Sequence, residues 1–434
     1  MTVRRAKPRF VAAWLCGTLL LWSGPGAVAE EVSAAGGGEP ERTEEEGAES
    51  GSDTPEVDVE GSIENVVSRR GWSVGGDLRL GYSYENQENR DGSSSDDGEL
   101  LGRIRIGGDW GINRYTRAVA RVAGLCTTDR CDGDFNLDSS IPTGSGIDRG
   151  DITFDELFLH GFRVQRFDAA VGRLQTKFVT QGGVFAKSLD RNDSNSVNVS
   201  WTDGFHGTVR HRRGWVSHFI LQANRDRGSG SVRRTPLDFD DDGSHVSYFL
   251  AVENTKPWRH VVQRALDVSY LPDSLLKDGT QAGRIEDYWG VVGRLAARWP
   301  QVEEESGLLV AGELGYAPET PTGAAVDLDE AGDVEGLAWN VVASLMEFRP
   351  GHSLGLNYGR TEAGWLLSPQ YRENEELLEV RYLWKKTTRL TIEARARLRE
   401  DLDRLTTAVR KREELDGFVR LTWRFRLAKT EDAR

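Results

Sequence analysis

From residue 72 onward, apolar and polar residues alternate through one short segment after another. Residues 77–84 read Asp-Leu-Arg-Leu-Gly-Tyr-Ser-Tyr, and residues 419–427 read Val-Arg-Leu-Thr-Trp-Arg-Phe-Arg-Leu. Successive side chains of a β-strand point to opposite faces, so each segment predicts a strand with one apolar and one polar face. Residues 389–399 contain good helix formers, but a helix would spread their arginines over every face, which favours a strand there too.

Sixteen such segments follow one another, and the connections between them alternate in length. Every second connection is short. The connections between them are polar, rich in Gly, Asp, Ser and Asn, and roughly 15 to 27 residues long. The segments cover residues 72–84, 101–110, 115–125, 151–162, 166–176, 204–212, 215–224, 244–253, 260–271, 288–299, 306–316, 337–347, 352–359, 376–384, 389–399 and 417–427.

An even number of strands, with short connections at one end and long ones at the other, is typical of outer-membrane β-barrels. We therefore predict an all-β fold over residues 65–427: a transmembrane antiparallel β-barrel of about 16 strands with short periplasmic turns and long extracellular loops. Unpaired backbone groups are costly in lipid, so the first strand should pair with the last. A barrel of this size has a water-filled lumen.

Tryptophans recur near the predicted strand ends, where they would form the aromatic girdles at the membrane surface. These are Trp72, Trp110, Trp215, Trp299, Trp384 and Trp423.

The two ends of the chain differ from the barrel in composition. Residues 1–29 have a basic start, an apolar core and a small-residue site at Ala27-Val28-Ala29, which predicts a cleaved signal peptide and export to the cell outer membrane. A single membrane anchor is the alternative, but its apolar run is shorter than the roughly 20 residues a spanning helix needs. Residues 428–434 would form a periplasmic tail.

Residues 30–64 contain 13 acidic residues and one basic residue, Arg42, with almost no large apolar side chain. Such a stretch cannot bury enough surface to offset the entropy of ordering, so we predict a disordered periplasmic linker. The linker accounts for most of the formal net charge of −14. An acidic chain is a poor partner for nucleic acid.

Three stretches carry a resemblance to known proteins. They are residues 172–178 (Gly-Arg-Leu-Gln-Thr-Lys-Phe), residues 364–371 (Gly-Trp-Leu-Leu-Ser-Pro-Gln-Tyr) followed by 374–377 (Asn-Glu-Glu-Leu), and residues 417–425 (Gly-Phe-Val-Arg-Leu-Thr-Trp-Arg-Phe). The first resembles the strand before the constricting third loop of bacterial outer-membrane porins, and the last resembles the terminal strand read by the barrel-assembly machinery. The region as a whole is similar to sixteen-stranded porins, including the phosphate-selective porin O and P family.

The resemblance implies passive diffusion of small hydrophilic solutes through a homotrimer that contacts outer-membrane lipid and lipopolysaccharide. It implies no cofactor. The terminal-strand signal normally ends at the last residue of the chain, whereas residues 426–434 follow it here.

The polar residues of the first three and last two strands include ten arginines that should face the lumen, because a charged side chain in the lipid costs about 2 to 4 kcal/mol at the midplane. These strands are neighbours in a closed barrel, so we call the ten residues the arginine wall. The arginine wall consists of Arg79, Arg103, Arg105, Arg117, Arg121, Arg395, Arg397, Arg399, Arg420 and Arg424.

The arginine wall outnumbers the inward acids Asp77, Glu379 and Glu393, which predicts a preference for anions such as phosphate or organic acids. A non-selective pore is the alternative. Most basic residues of this chain are arginines wherever they occur, so the arginines at inward positions could reflect composition and not selection for anions.

The resemblance to porins implies that the third loop folds into the lumen. In this chain the loop would span residues 177–203, and its carboxylates would face the arginine wall and set up a transverse field. The charged residues of this predicted constriction are Lys177, Lys187, Asp190, Arg191 and Asp193.

Two other loops contain candidate structural sites. Cys126 and Cys131 lie close together in an exported chain, which predicts a disulfide. Asp238, Asp240 and Asp242 match the start of a calcium loop, but Phe249 stands where the bidentate glutamate should be, so the calcium signal is weak.

The alternatives to a pore are a barrel enzyme of the lipase or protease type and a secreted β-sheet adhesin or lectin. The sequence contains no nucleophile elbow. His206 and His211 are the one pair close enough in sequence for a metal site, but their spacing puts them on opposite faces of a strand. We therefore predict a protein that is not an enzyme.

Overall fold

A computed structural model describes residues 71–113, 115–137, 147, 149–164, 166–191, 201–224, 235–239, 243–280, 282–300 and 306–429. The predicted signal peptide, the predicted linker and residues 430–434 lie outside these ranges. So do Asp193, Asp240 and Asp242.

Within the described ranges, sixteen long strands and one strand of two residues follow in chain order. They are β1 (Trp72–Glu88), β2 (Ser94–Gly111), β3 (Arg117–Thr127), β4 (Asp134–Phe135), β5 (Asp151–Val164), β6 (Phe167–Leu174), β7 (Thr202–Arg210), β8 (Trp215–Ala223), β9 (Val246–Asn254), β10 (Val261–Leu276), β11 (Ile285–Pro300), β12 (Gly307–Tyr316), β13 (Leu337–Arg349), β14 (His352–Thr361), β15 (Glu375–Lys385), β16 (Leu390–Asp401) and β17 (Glu413–Lys429). Two short 3₁₀ helices lie at Arg212–Gly214 and Gly323–Val326.

Each long strand pairs antiparallel with its neighbours along the chain, and β1 pairs with β17 from Ser73 opposite Lys429 to Glu88 opposite Glu413. The sheet is therefore closed, which confirms the predicted all-β barrel of sixteen strands. The short strand β4 pairs parallel with β5 inside a loop and is not part of the barrel wall. Among the described residues, no helix is long and apolar enough to cross a membrane.

The connections sort into two ends, as predicted. We call the end with the short connections the turn end and the other the loop end. Three predicted long loops are shorter in the structure, because the strands continue to residues 88, 276 and 401 and resume at 94, 285 and 413. Most residues of these extensions are polar, and the buried Leu275 and Leu276 are consecutive, so alternation could not reveal the extensions. Strand β17 also continues to Lys429, beyond the predicted barrel end at residue 427.

Aromatic side chains mark two levels on the outer face of the barrel. Exposed tryptophans stand at the turn end, and exposed tyrosines stand near the loop end, with exposed Leu, Ile and Val between them. The tryptophans include Trp72, Trp110, Trp215, Trp299 and Trp423, and the tyrosines include Tyr82, Tyr84, Tyr248, Tyr270, Tyr316 and Tyr358. An apolar band between two aromatic girdles is the outer surface expected of a barrel in a bilayer.

Candidate functional site

Two loops fold into the lumen and fill part of it. The third loop (residues 175–201, described to Arg191 and at Trp201) and the seventh loop (residues 362–374) meet there, and Trp365, Leu366 and Leu367 are fully buried. The indole nitrogen of Trp365 donates to the carbonyl of Leu189 at 3.1 Å. The hydroxyl of Ser368 donates to the carbonyl of Ser188 at 2.7 Å. The two loops therefore form one packed unit, which we call the plug.

The barrel wall accommodates the plug through glycines at inward positions. A Cβ atom added to Gly315 would lie 2.8 Å from the Trp365 ring, and one added to Gly359 would lie 2.6 Å from the Tyr371 ring. Any larger residue would collide with these rings, so the missing side chains form the recesses that receive Trp365 and Tyr371. The plug thus occupies a specific place on strands β11 to β14.

Charged groups fix the third loop to the same side of the barrel. Asp190 pairs with Arg294 on β11, and Arg294 also pairs with Asp267 and, at 2.8 Å, with Glu313. All four side chains are buried. One guanidinium therefore holds three carboxylates together inside the protein, and we call this group the clamp. Removing the guanidinium would leave buried carboxylates without a partner charge, which is strongly destabilising.

Two other charged residues of the predicted constriction, Lys187 and Arg191, contact other parts of the barrel and its loops. Lys187 pairs with Glu379 on β15, and Arg191 donates to Ser247 at 2.7 Å and to Asn224. Lys177 lies half-buried at the start of the loop.

Asp190 does not lie where the predicted transverse field needs it, and Asp193 lies outside the described residues. Arg294 stands on β11, about half-way round the sheet from the arginine wall on β1 to β3, β16 and β17. Asp190 is attracted to Arg294 and buried there, so its carboxylate does not face the arginine wall.

Open space remains on the side of the lumen that the plug leaves free. A cavity of about 470 Å³ lies toward the loop end, and a second one of about 330 Å³ lies toward the turn end. Arg79 lines both cavities, so it stands where they meet. The residues that line the two cavities come mainly from strands β1, β2, β3, β16 and β17.

The structure places the arginine wall on the inner face of these strands. Eight of the ten arginines line one or both cavities, and Arg105 and Arg399 are buried behind them, paired with Asp155 at 3.0 Å and Glu375 at 2.8 Å. The eight are Arg79, Arg103, Arg117, Arg121, Arg395, Arg397, Arg420 and Arg424.

Carboxylates that the sequence analysis did not assign to the lumen accompany the arginines. Asp416 pairs with Arg397 at 2.5 Å and with Arg395, and Asp155 pairs with Arg121 at 2.8 Å. Asp416 was missed because β17 begins at Glu413, four residues before the alternation of apolar and polar residues that predicts a strand from residue 417. Asp155 was missed because a bulge beside Arg121 changes which residues of β5 point inward.

Among the described residues, nine arginines and seven carboxylates line the two cavities. The carboxylates are Asp77, Glu85, Asp97, Glu99, Asp109, Glu156 and Asp416. The lining is therefore positive by two charges, a smaller excess than ten unopposed arginines would give.

Cys126 and Cys131 are joined by a disulfide in the connection between β3 and β5. Asp238 of the weak calcium pattern is described, whereas its two partners are not. Within the described ranges, no group of three or more His, Cys, Asp or Glu side chains is placed to hold a metal ion.

A closed sixteen-stranded antiparallel barrel with the third loop folded into the lumen defines the porin fold. No family model and no curated protein matches the sequence. Among solved structures, the chain is similar to a high-pH structure of OprB from Pseudomonas putida, with a TM-score of 0.52, 10% sequence identity, and coverage of 82% of this chain and 94% of that one. It is also similar to an anion-selective porin from Comamonas acidovorans, with a TM-score of 0.51, 10% identity, and coverage of 82% and 99%.

Proposed function

We propose that the protein is an outer-membrane porin that lets small hydrophilic solutes diffuse passively and prefers anions. The observation that carries this proposal is the pair of lumen cavities that meet at Arg79, with nine arginines against seven carboxylates along them. The plug packs against strands β11 to β14 on the other side of the lumen, which supports a path for solutes along the arginines.

The outer surface supports the location in a membrane. The band of exposed Leu, Ile and Val between tryptophan and tyrosine girdles matches a hydrocarbon layer with its two interfaces. Outer-membrane lipid and lipopolysaccharide are therefore the proposed surroundings. Assembly as a homotrimer and insertion by the barrel-assembly machinery are proposed from the resemblance alone.

The anion preference rests on residues of this chain, because 10% identity to an anion-selective porin carries the fold and not the selectivity. Most wall arginines are paired with carboxylates, so the net field is weak and the proposed pore favours anions without excluding other solutes. Phosphate and small organic acids are the proposed substrate class.

Solute uptake by liposomes tests both parts of the proposal. The purified barrel is incorporated into liposomes, and swelling rates are measured in glucose, gluconate and glucosamine, which are similar in size and differ in charge. We expect swelling with all three, fastest with gluconate and slowest with glucosamine. Liposomes that contain heat-denatured protein provide the control.

Two results would reject the proposal. Swelling no faster than the heat-denatured control for every solute would mean that the folded barrel is not a channel. Faster entry of glucosamine than of gluconate would leave the channel intact but reverse its proposed preference.

A further inference from the structure

Two histidines meet on the inner face of the β7–β8 hairpin. The register pairs Thr208 with His218 and His206 with Ile220, so His206 and His218 are diagonal neighbours on adjacent strands. Nε2 of His206 lies 3.1 Å from Nδ1 of His218. The hydroxyl of Thr208 lies 3.4 Å from both of these nitrogens.

A carboxylate lies behind one of the rings. Oε1 of Glu253, on β9, lies 3.3 Å from Nε2 of His218. A carboxylate at this nitrogen favours the tautomer that is protonated there, which leaves Nδ1 free to act as a ligand. Metal-binding histidines usually have such a carboxylate on the nitrogen that does not bind the metal.

The pair is sheltered but not completely buried. The Phe178 ring of the third loop packs against both imidazoles, with ring centroids 6.0 and 5.1 Å away. His206 is 6% exposed, whereas 13% of the His218 side chain and 20% of the Glu253 side chain are exposed. Asp168 on β6 and His160 on β5 face the pair from its other side, and their own closest atoms are 3.9 Å apart.

From this geometry we propose that His206 Nε2 and His218 Nδ1 chelate a transition-metal ion such as Zn²⁺, Cu²⁺ or Ni²⁺, with Glu253 as the carboxylate that orients His218. Metal-to-imidazole bonds are about 2.0 to 2.1 Å long, so two nitrogens 3.1 Å apart subtend about 100° at the metal. That angle lies between square-planar and tetrahedral values. Water completes the coordination, and the Thr208 hydroxyl is close enough to hold it.

The ligand set determines which ions bind. Imidazole nitrogens suit Zn²⁺, Cu²⁺ and Ni²⁺, whereas Mg²⁺ and Ca²⁺ prefer oxygen ligands. Both imidazoles must be neutral to bind the ion. This site does not depend on the proposed transport function.

Calorimetric titration of the full-length, detergent-folded protein with ZnCl₂ tests the proposal. We expect His206→Gln and His218→Gln each to remove the same Zn²⁺-binding event, and Glu253→Gln to weaken it by about 10-fold to 100-fold. His211→Gln is the matched control, because His211 lies at the turn of the same hairpin and is exposed. Heat-modifiable migration on gels verifies that each variant is a folded barrel.

A Cu²⁺-loaded sample provides a second measurement, in which paramagnetic resonance should show coupling to two imidazole nitrogens. The proposal is overturned if both folded histidine variants bind Zn²⁺ as the unaltered protein does. It is equally overturned if only one of the two histidines matters, or if MgCl₂ binds the site as tightly as ZnCl₂.

Discussion

Replacing Arg79 should change ion selectivity more than replacing any other single arginine of the wall, because Arg79 lines both cavities. Arg79→Gln removes one positive charge at the point where the cavities meet. Its side chain makes a hydrogen bond of 3.2 Å to Thr422, which glutamine can also form, so the barrel should keep its fold.

The expected magnitude follows from Coulomb's law. A unit charge about 4 Å from a passing ion contributes about 1 kcal/mol in water, or about a fivefold change in local concentration. Loss of the charge disfavours chloride and favours potassium, so the ratio of chloride to potassium permeability should fall by about fivefold to 25-fold. Arg79→Glu doubles the change in charge and should shift the ratio further in the same direction.

Reversal potentials in planar bilayers under a KCl gradient measure this ratio, at about 0.1 M salt, where the Debye length of about 10 Å leaves the charge incompletely screened. Arg212→Gln, on the exposed turn between β7 and β8, is the control and should leave the ratio unchanged. An Arg79→Glu reversal potential equal to that of the unaltered protein would show that ions do not pass Arg79.

Two further predictions concern the plug. Trp365→Ala removes a fully buried ring, so it should lower the free energy of unfolding by about 3 to 5 kcal/mol and raise the single-channel conductance. Trp299→Ala, on the outer girdle, is the control and should leave the conductance unchanged. A folded Trp365→Ala barrel with unchanged conductance would contradict the account. Arg294→Met leaves three buried carboxylates without their partner charge, so it should lower the free energy of unfolding in a urea titration by about 3 to 5 kcal/mol. Arg212→Met, on an exposed turn, is the control and should lower it by less than about 0.5 kcal/mol. Equal midpoints for the two arginine variants would refute the clamp.

Strand alternation was sufficient to predict the barrel, because a wall between lipid and water imposes opposite polarity on neighbouring residues. It gave all sixteen long strands and the sorting of turns and loops. It failed where that constraint ends: on the strand extensions beyond the apolar band, and at the bulge that turns Asp155 inward.

Contacts between distant segments could not be predicted from the sequence. Residues 365–367 lie in a stretch that carries the resemblance to porins, but their position depends on wall glycines such as Gly315, which look ordinary within a strand. The His206–His218 pair was missed because its members lie on two different strands, and spacing along a single strand does not reveal such a pair. The available signal was that the two histidines fall on the same face of the hairpin, two positions out of register about the turn at 211–214.

Thiol blocking of single cysteine variants tests most directly whether solutes pass along the arginine wall. Ser83 lines the cavity on that side, whereas Ala338 is fully buried beneath the plug on the other. The two cysteines among the described residues, Cys126 and Cys131, are joined in a disulfide. We predict that a charged methanethiosulfonate reagent reduces the conductance of Ser83→Cys and leaves that of Ala338→Cys unchanged. Block of Ala338→Cys with no effect on Ser83→Cys would place the path on the opposite side of the lumen and contradict the account.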